Sequence, residues 1–306
     1  MPNWHEILTE INKAGSQFDI FRRDFIKKLQ AKTNRNTIIY YSGWLQKSRI
    51  PGIASSDFSV NDADKNGFMT VINKMDRSKG LDLILHTPGG EVAATESLVD
   101  YLRSMFKTDI RAIVPQLAMS AGTMIACSCK EIIMGKESSL GPIDPIYNGL
   151  PAHGVVEEFD TAYREIKADP IKAALWQPII ARYNPTLIGE CKKSIDWAKT
   201  MVREWLKTGM FLGDSDPETK VARIYEELGN HSLTLSHSRH ISYERCKELG
   251  LNVRPLEEDP ELQDAVLSVH HACIHTLSET PAVKIIENHE GIAYIIQVRQ
   301  QMVMPR

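Results

Sequence analysis

Between residues 81 and 134 the chain alternates short apolar runs with longer amphipathic stretches, and this alternation constrains the fold more than any other feature. The runs at 81–86 (LDLILH), 110–115 (IRAIVP) and 131–134 (EIIM) read as strands, and 91–107 and 120–129 between them read as helices. Strands alternating with helices call for a parallel sheet crossed by helices. An earlier β signal lies in NTIIYYSGW (36–44), followed by a polar loop and a helix over about 64–78. Before it, Ile7, Ile11, Phe18, Phe21, Phe25 and Leu29 recur at helical spacing, which predicts one or two amphipathic helices over 4–31. Beyond the turn-rich SSLGPIDPIYNG the chain becomes mostly helical, with predicted helices at 154–168, 171–182, 186–208, 217–228, 242–249 and 261–280. A last strand, 292–298 (IAYIIQV), returns to the sheet or covers its edge. No repeat and no Gly-, Ser- or Pro-rich linker separates two cores. The expected organisation is an N-terminal helical segment (1–35), an α/β core (36–255) and a C-terminal helix and strand extension (256–306).

Composition narrows the class of partner. The 306 residues are 42% hydrophobic and 25% charged, with a net charge of -3. That balance offers no field to draw in nucleic acid or an anionic membrane. No uncharged run approaches the roughly 18 residues of a membrane span, and the N-terminus lacks the apolar core of a signal peptide. Cys127, Cys129, Cys191, Cys246 and Cys273 are odd in number and show no C-x-x-C spacing, which fits a reducing cytoplasm. The absence of G-x-G-x-x-G and of a P-loop leaves nucleotide binding without local support, and no cofactor is expected.

Chemistry concentrates where two of the predicted strands end. In a parallel sheet, ligands bind at the C-terminal strand edge. The turn Pro88-Gly89-Gly90 opens a helix, so it presents unpaired N–H groups to an approaching oxyanion. Ser120 stands at a second strand-to-helix corner, in AMSAG, which is similar to the nucleophile elbow G-x-S-x-G with Ala118 in the first glycine's place. The Ala121 N–H would then be a further oxyanion donor. Taken alone, a serine at such a corner is more often a helix cap and P-G-G more often a plain turn. Their combination is what points to a site.

HTPGG (86–90) followed by AMSAGTMIACSCKEIIMGKESSLGPIDP (118–145), with GLNV at 250–253, resembles the Clp-fold serine peptidases. These include the ClpP proteolytic subunit, the more distant signal-peptide peptidase A and, in particular, the SDH-family (serine dehydrogenase) proteinases. The resemblance is strong over about 80–146 and weaker outside it. It implies a ClpP/crotonase-like spiral of parallel strands and helices, a Ser120 nucleophile and an oxyanion hole from the Gly90 and Ala121 backbone, with Gly89 shaping the turn. It further implies a peptide or protein substrate, homo-oligomers and a separate ATPase or regulatory chain as partner. Two rival readings stay open: a crotonase-type acyl-CoA enzyme using the same donors, and a non-catalytic scaffold.

The general base is not fixed by these motifs. The loop Gly141–Pro145, where ClpP carries its histidine, has none; Asp144 there could orient a base or line the pocket, although an Asp flanked by prolines is more often a turn residue. Signal-peptide peptidase A uses a lysine, and Lys172 is the better match of Lys167 and Lys172 because Ile171, Ala173, Ala174 and Leu175 promise apolar surroundings that would lower its pKa. The segment HSLTLSHSRH supplies His231, His237 and His240, of which His237 is the candidate base, since an imidazole titrates near neutrality. Histidines three apart without an H-E-x-x-H carboxylate are weak metal ligands, and no metal is expected.

Overall fold

A computed structural model of the protein describes residues 4–14, 18–147 and 149–298, without the side chains of 11–14, 231 and 232. Expectations for the Ile11 and His231 side chains therefore lie outside the described residues. The main sheet has seven strands: β1 (Asn36–Ser42), β2 (Leu81–His86), β3 (Ile110–Val114), β4 (Glu131–Met134), β5 (Val253–Pro255), β6 (Ala282–Asn288) and β7 (Ala293–Gln297). Their order is β5-β4-β3-β2-β1-β6-β7, with β1 to β5 parallel and β6 antiparallel to both β1 and β7. This mixed, mostly parallel α/β sheet is the class that the strand–helix alternation requires.

Alternation along each strand sorts side chains to two faces. Ile39, Ile84, Ile113 and Ile133 lie opposite one another across four strands and pack against the helices at Trp4–Ala14, Phe18–Thr33 and Pro260–Glu279. Ile38, Leu83, Ala112 and Ile132 form the corresponding row on the other face, under Asp62–Ile72, Val92–Phe106 and Ala121–Cys127. Burial on both faces explains why these strands read as nearly continuous apolar runs. The helices from both chain ends thus share one side of the sheet, and the serine-bearing helix lies on the other.

Three local expectations are corrected. The helix predicted over 64–78 runs Asp62–Ile72 and is followed by a 3-10 turn at Arg77–Lys79; Lys74, at φ 66, breaks the helical path between them. The helix predicted over 171–182 is a 3-10 turn at Pro170–Lys172 and a short helix Ala173–Ile180 that carries Pro178. Strand β6 has no counterpart in the apolar pattern, because Lys284 and Glu287 interrupt AVKIIEN. Both are fully buried, and each finds a charged partner, Lys284 with Asp64 and Glu287 with Arg22 and Arg23. The final strand does return to the sheet, as edge strand β7 beside β6.

Candidate active site

The two motif turns lie side by side. Thr87 donates its N–H to Leu117 O (3.0 Å) and accepts from Met119 N (3.0 Å), so the chain leaving β2 is stitched to the chain entering Ser120. Gly89 has φ 100, and a Cβ built there would fall 2.6 Å from Ser120 Cβ, so only glycine lets the turns approach this closely. Gly90 is held from the other side. Val60 N donates to Gly89 O (2.8 Å) and Glu91 N donates to Val60 O (2.9 Å). This short ladder uses the groups flanking Gly90 and leaves its own N–H with no acceptor among the described residues.

Ser120 sits at φ 50, ψ -113, a conformation non-glycine residues rarely adopt and one that costs on the order of 1–3 kcal/mol. It precedes the helix Ala121–Cys127, yet its side chain makes no capping hydrogen bond. The ordinary explanation of a serine at a helix start therefore does not describe this one. Ala121 is the first residue of that helix, so its N–H has no intrahelical acceptor. The strained corner aims Ser120 at the same cleft that Gly89 and Gly90 line.

A small three-stranded sheet brings the remaining parts to this corner. Leu117–Ala118 pairs with Ser139–Leu140, which pairs in turn with Ile241–Ser242. These strands lie just before Ser120, just before Asp144 and just after His237. The Thr123 hydroxyl, on the serine helix, bridges Ala118 O (2.8 Å) and Gly141 O (2.9 Å) and accepts from Gly141 N (2.9 Å), fastening the 141–145 loop. Ile143 N donates to Leu228 O (2.8 Å), tying that loop to the helix that precedes the histidine segment.

The result is a contact that sequence separation conceals. His237 Nδ1 lies 2.8 Å from Asp144 Oδ1 across 93 residues. Asp144 is 1% exposed, whereas the imidazole is about a quarter exposed to the cleft. A carboxylate that is ionised only accepts hydrogen bonds, so the contact suits the imidazole tautomer that carries its proton on Nδ1 and presents the Nε2 lone pair. Ser120, Gly89, Gly90, Asp144 and His237 all line one open cleft of about 410 Å³, together with Ser55, Ser56 and Ser59. Among the described residues no hydrogen bond yet joins Ser120 to His237; such bonds are often long in the absence of substrate and tighten when it binds.

Lys172 lies elsewhere. It occupies the 3-10 turn at 170–172, is half-exposed, pairs with Glu165 at 3.4 Å and does not line the cleft. The apolar surroundings expected for it are corrected too, because Ile171 and Leu175 are 82% and 70% exposed and point to solvent. His240 borders a separate depression with Arg239 and Arg245. His270 and His275 are buried on the long helix Pro260–Glu279. Ser55, Ser56 and Ser59 join the cleft as residues that motif spacing alone did not assign to it, and Asp144 lines it as well.

Among the described residues no helix is long and apolar enough to cross a membrane, and no group of three or more His, Cys, Asp or Glu is placed to hold a metal ion. Two uncharacterized proteins of Methanocaldococcus jannaschii are similar in sequence. One is 30% identical over 237 residues, covering 78% of this chain and 74% of that relative. The second is 28% identical over 190 residues, covering 62% of this chain and 57% of the relative. Residues 7–262 match the family model of the ClpP-like SDH-type serine proteinases, a span that includes both turns, the small sheet and the His237–Asp144 pair. The chain belongs to the ClpP-like SDH-type serine proteinase family.

Proposed function

We propose that the protein hydrolyses peptide bonds through an acyl-enzyme on Ser120, with His237 as general base and Asp144 as the group that orients it. The observation that carries this reading is the 2.8 Å His237–Asp144 bond in the cleft that a strained, uncapped serine also lines. Ser120 Oγ attacks the substrate carbonyl carbon while His237 Nε2 takes its proton. The carbonyl oxygen becomes an oxyanion held by the Gly90 and Ala121 N–H groups, with Gly89 keeping the turn against the serine. The protonated imidazole then gives its proton to the leaving amine as the C–N bond breaks. Water, deprotonated by the same nitrogen, repeats the addition on the acyl carbon and releases the acid and the serine. The acyl-CoA and scaffold readings give the His237–Asp144 pair beside this serine no role.

We read the chain as a homo-oligomer as well. Ile171, Leu175 and Tyr163 stand 82%, 70% and 66% exposed on the helical arm beyond the cleft, a concentration of apolar surface that suits contact between subunits.

The mechanism is tested with a fluorophosphonate probe and a quenched peptide substrate. Wild-type protein is expected to label, Ser120→Ala to lose labelling, and His237→Ala and Asp144→Asn to lose about 10²–10⁴-fold in turnover. Labelling that persists in Ser120→Ala, or full turnover in His237→Ala, would overturn the assignment.

A further inference from the structure

A fully buried charged network lies beneath the oxyanion turn, on elements remote from it in sequence. Lys284, on β6, donates from Nζ to Asp64 Oδ1 (2.8 Å) and to Ser59 O (2.7 Å). Tyr40, on β1, donates its hydroxyl to Asp64 Oδ2 (2.7 Å). The same carboxylate oxygen accepts Asn61 N at 3.1 Å, which fixes the start of the helix Asp62–Ile72. The Thr87 side chain stands beside the Tyr40 hydroxyl, and Thr87 Oγ1 accepts Gly89 N at 3.2 Å. Lys284, Asp64, Tyr40 and Thr87 are all sealed from solvent.

Two arms leave this network and meet on residues 87–91. The side-chain arm runs from Asp64 through Tyr40 to Thr87 and so to Gly89 N. The backbone arm runs from Lys284 to Ser59 O and, one residue on, to Val60, whose N–H and C=O hold Gly89 O and Glu91 N. A buried ion pair is a poor source of stability, because desolvation offsets most of its attraction and an apolar pair of similar volume does as well or better. What it supplies here is direction: with Lys284 Nζ also donating to Asp64 Oδ2 (3.1 Å), there are three fixed contacts on one ammonium group and four on one carboxylate.

We propose that the Lys284–Asp64–Tyr40 network is the positioning device of the oxyanion turn, setting where the Gly90 N–H points and thereby how well the turn stabilises the transition state. The inference rests on the serine-peptidase reading of the cleft. None of the three residues lines the cleft, so they act through Thr87, Val60 and Gly89 rather than on substrate. Lys284 and Asp64 lie 220 residues apart, and β6 carries Lys284 to this position although its charge breaks the apolar pattern of the strand.

The test uses Tyr40→Phe, which removes one hydroxyl and keeps the ring; Lys284→Met is the harsher variant, because it leaves Asp64 uncompensated and risks the fold. In the full chain, Tyr40→Phe is expected to lower kcat about tenfold with KM unchanged and to slow fluorophosphonate labelling in proportion. That is a partial version of the roughly 10²–10³-fold loss that follows complete removal of an oxyanion donor. Amide exchange at Gly89 and Glu91 is expected to quicken in the variant while exchange in β3 stays the same. Unchanged kcat and unchanged exchange at Gly89 and Glu91 would overturn the inference, as would a loss confined to KM. If wild-type protein does not label at all, the peptidase reading fails, and the exchange comparison still decides whether the network holds the turn.

Discussion

Acid should unfold this protein through histidines that take no part in the proposed chemistry, and His86 is the place to measure it. It ends β2, two residues before Pro88, with its ring turned to the opposite face of the sheet from the serine helix. The ring is fully buried, 4.4 Å from the Trp44 ring, 5.3 Å from Tyr41 and 5.4 Å from His270, and among the described residues neither nitrogen has a hydrogen-bond partner. Burial pushes its pKa down from 6.5 to about 3. The folded state therefore holds His86 neutral where the unfolded chain protonates it, so its contribution to stability is present above pH 6.5 and is lost as pH falls from there toward 3. Between pH 7 and pH 5 the loss comes to about 2 kcal/mol, at 1.36 kcal/mol per pH unit below the unfolded pKa. Burial lowers the pKa of His270 as well, so wild-type protein loses more than this single share. The assay is urea unfolding at pH 7 and pH 5 on wild type and His86→Phe, with stability taken from midpoint and slope. Any repacking cost of the larger ring cancels in the difference between the two pH values. Wild type is expected to lose about 2 kcal/mol more than the variant on acidification. Equal losses in the two proteins would refute the reasoning.

Two further outcomes follow from the geometry. Lys172→Ala is expected to leave turnover within about twofold of wild type and its pH dependence unchanged, because the lysine pairs with Glu165 away from the cleft; a large loss in kcat would restore it as a base. Gly89→Ala is expected to fold but to lose about 10²-fold or more in kcat, since its Cβ would meet Ser120 Cβ at 2.6 Å and must push the turn off the serine; wild-type kinetics there would show that the two turns need not touch.

Local patterning settled the parts of the protein whose information is local. The runs at 81–86, 110–114 and 131–134 are buried on both faces, so they read as strands without knowledge of their neighbours. The two turns betrayed themselves through residues that few other positions require, two adjacent glycines and a serine set among small side chains. Strand β6 was hidden for the opposite reason. Lys284 and Glu287 look like surface residues until Asp64, Arg22 and Arg23 arrive from elsewhere in the chain to neutralise them.

The candidate base shows the same division. Ser120 and the Pro88-Gly89-Gly90 turn are each a few consecutive residues, so the chemistry proposed for them is legible in the chain by itself. A base is defined by what stands beside it. Lys172 and His237 were equally plausible as isolated side chains, one for its apolar neighbours and the other for its imidazole. Folding turned Ile171 and Leu175 to solvent and, through the small sheet joining 117–118, 139–140 and 241–242, set His237 against Asp144. Proton transfer and hydrogen bonding act over about 3 Å, a distance the sequence does not encode between residues 93 positions apart; only the packed chain sets it.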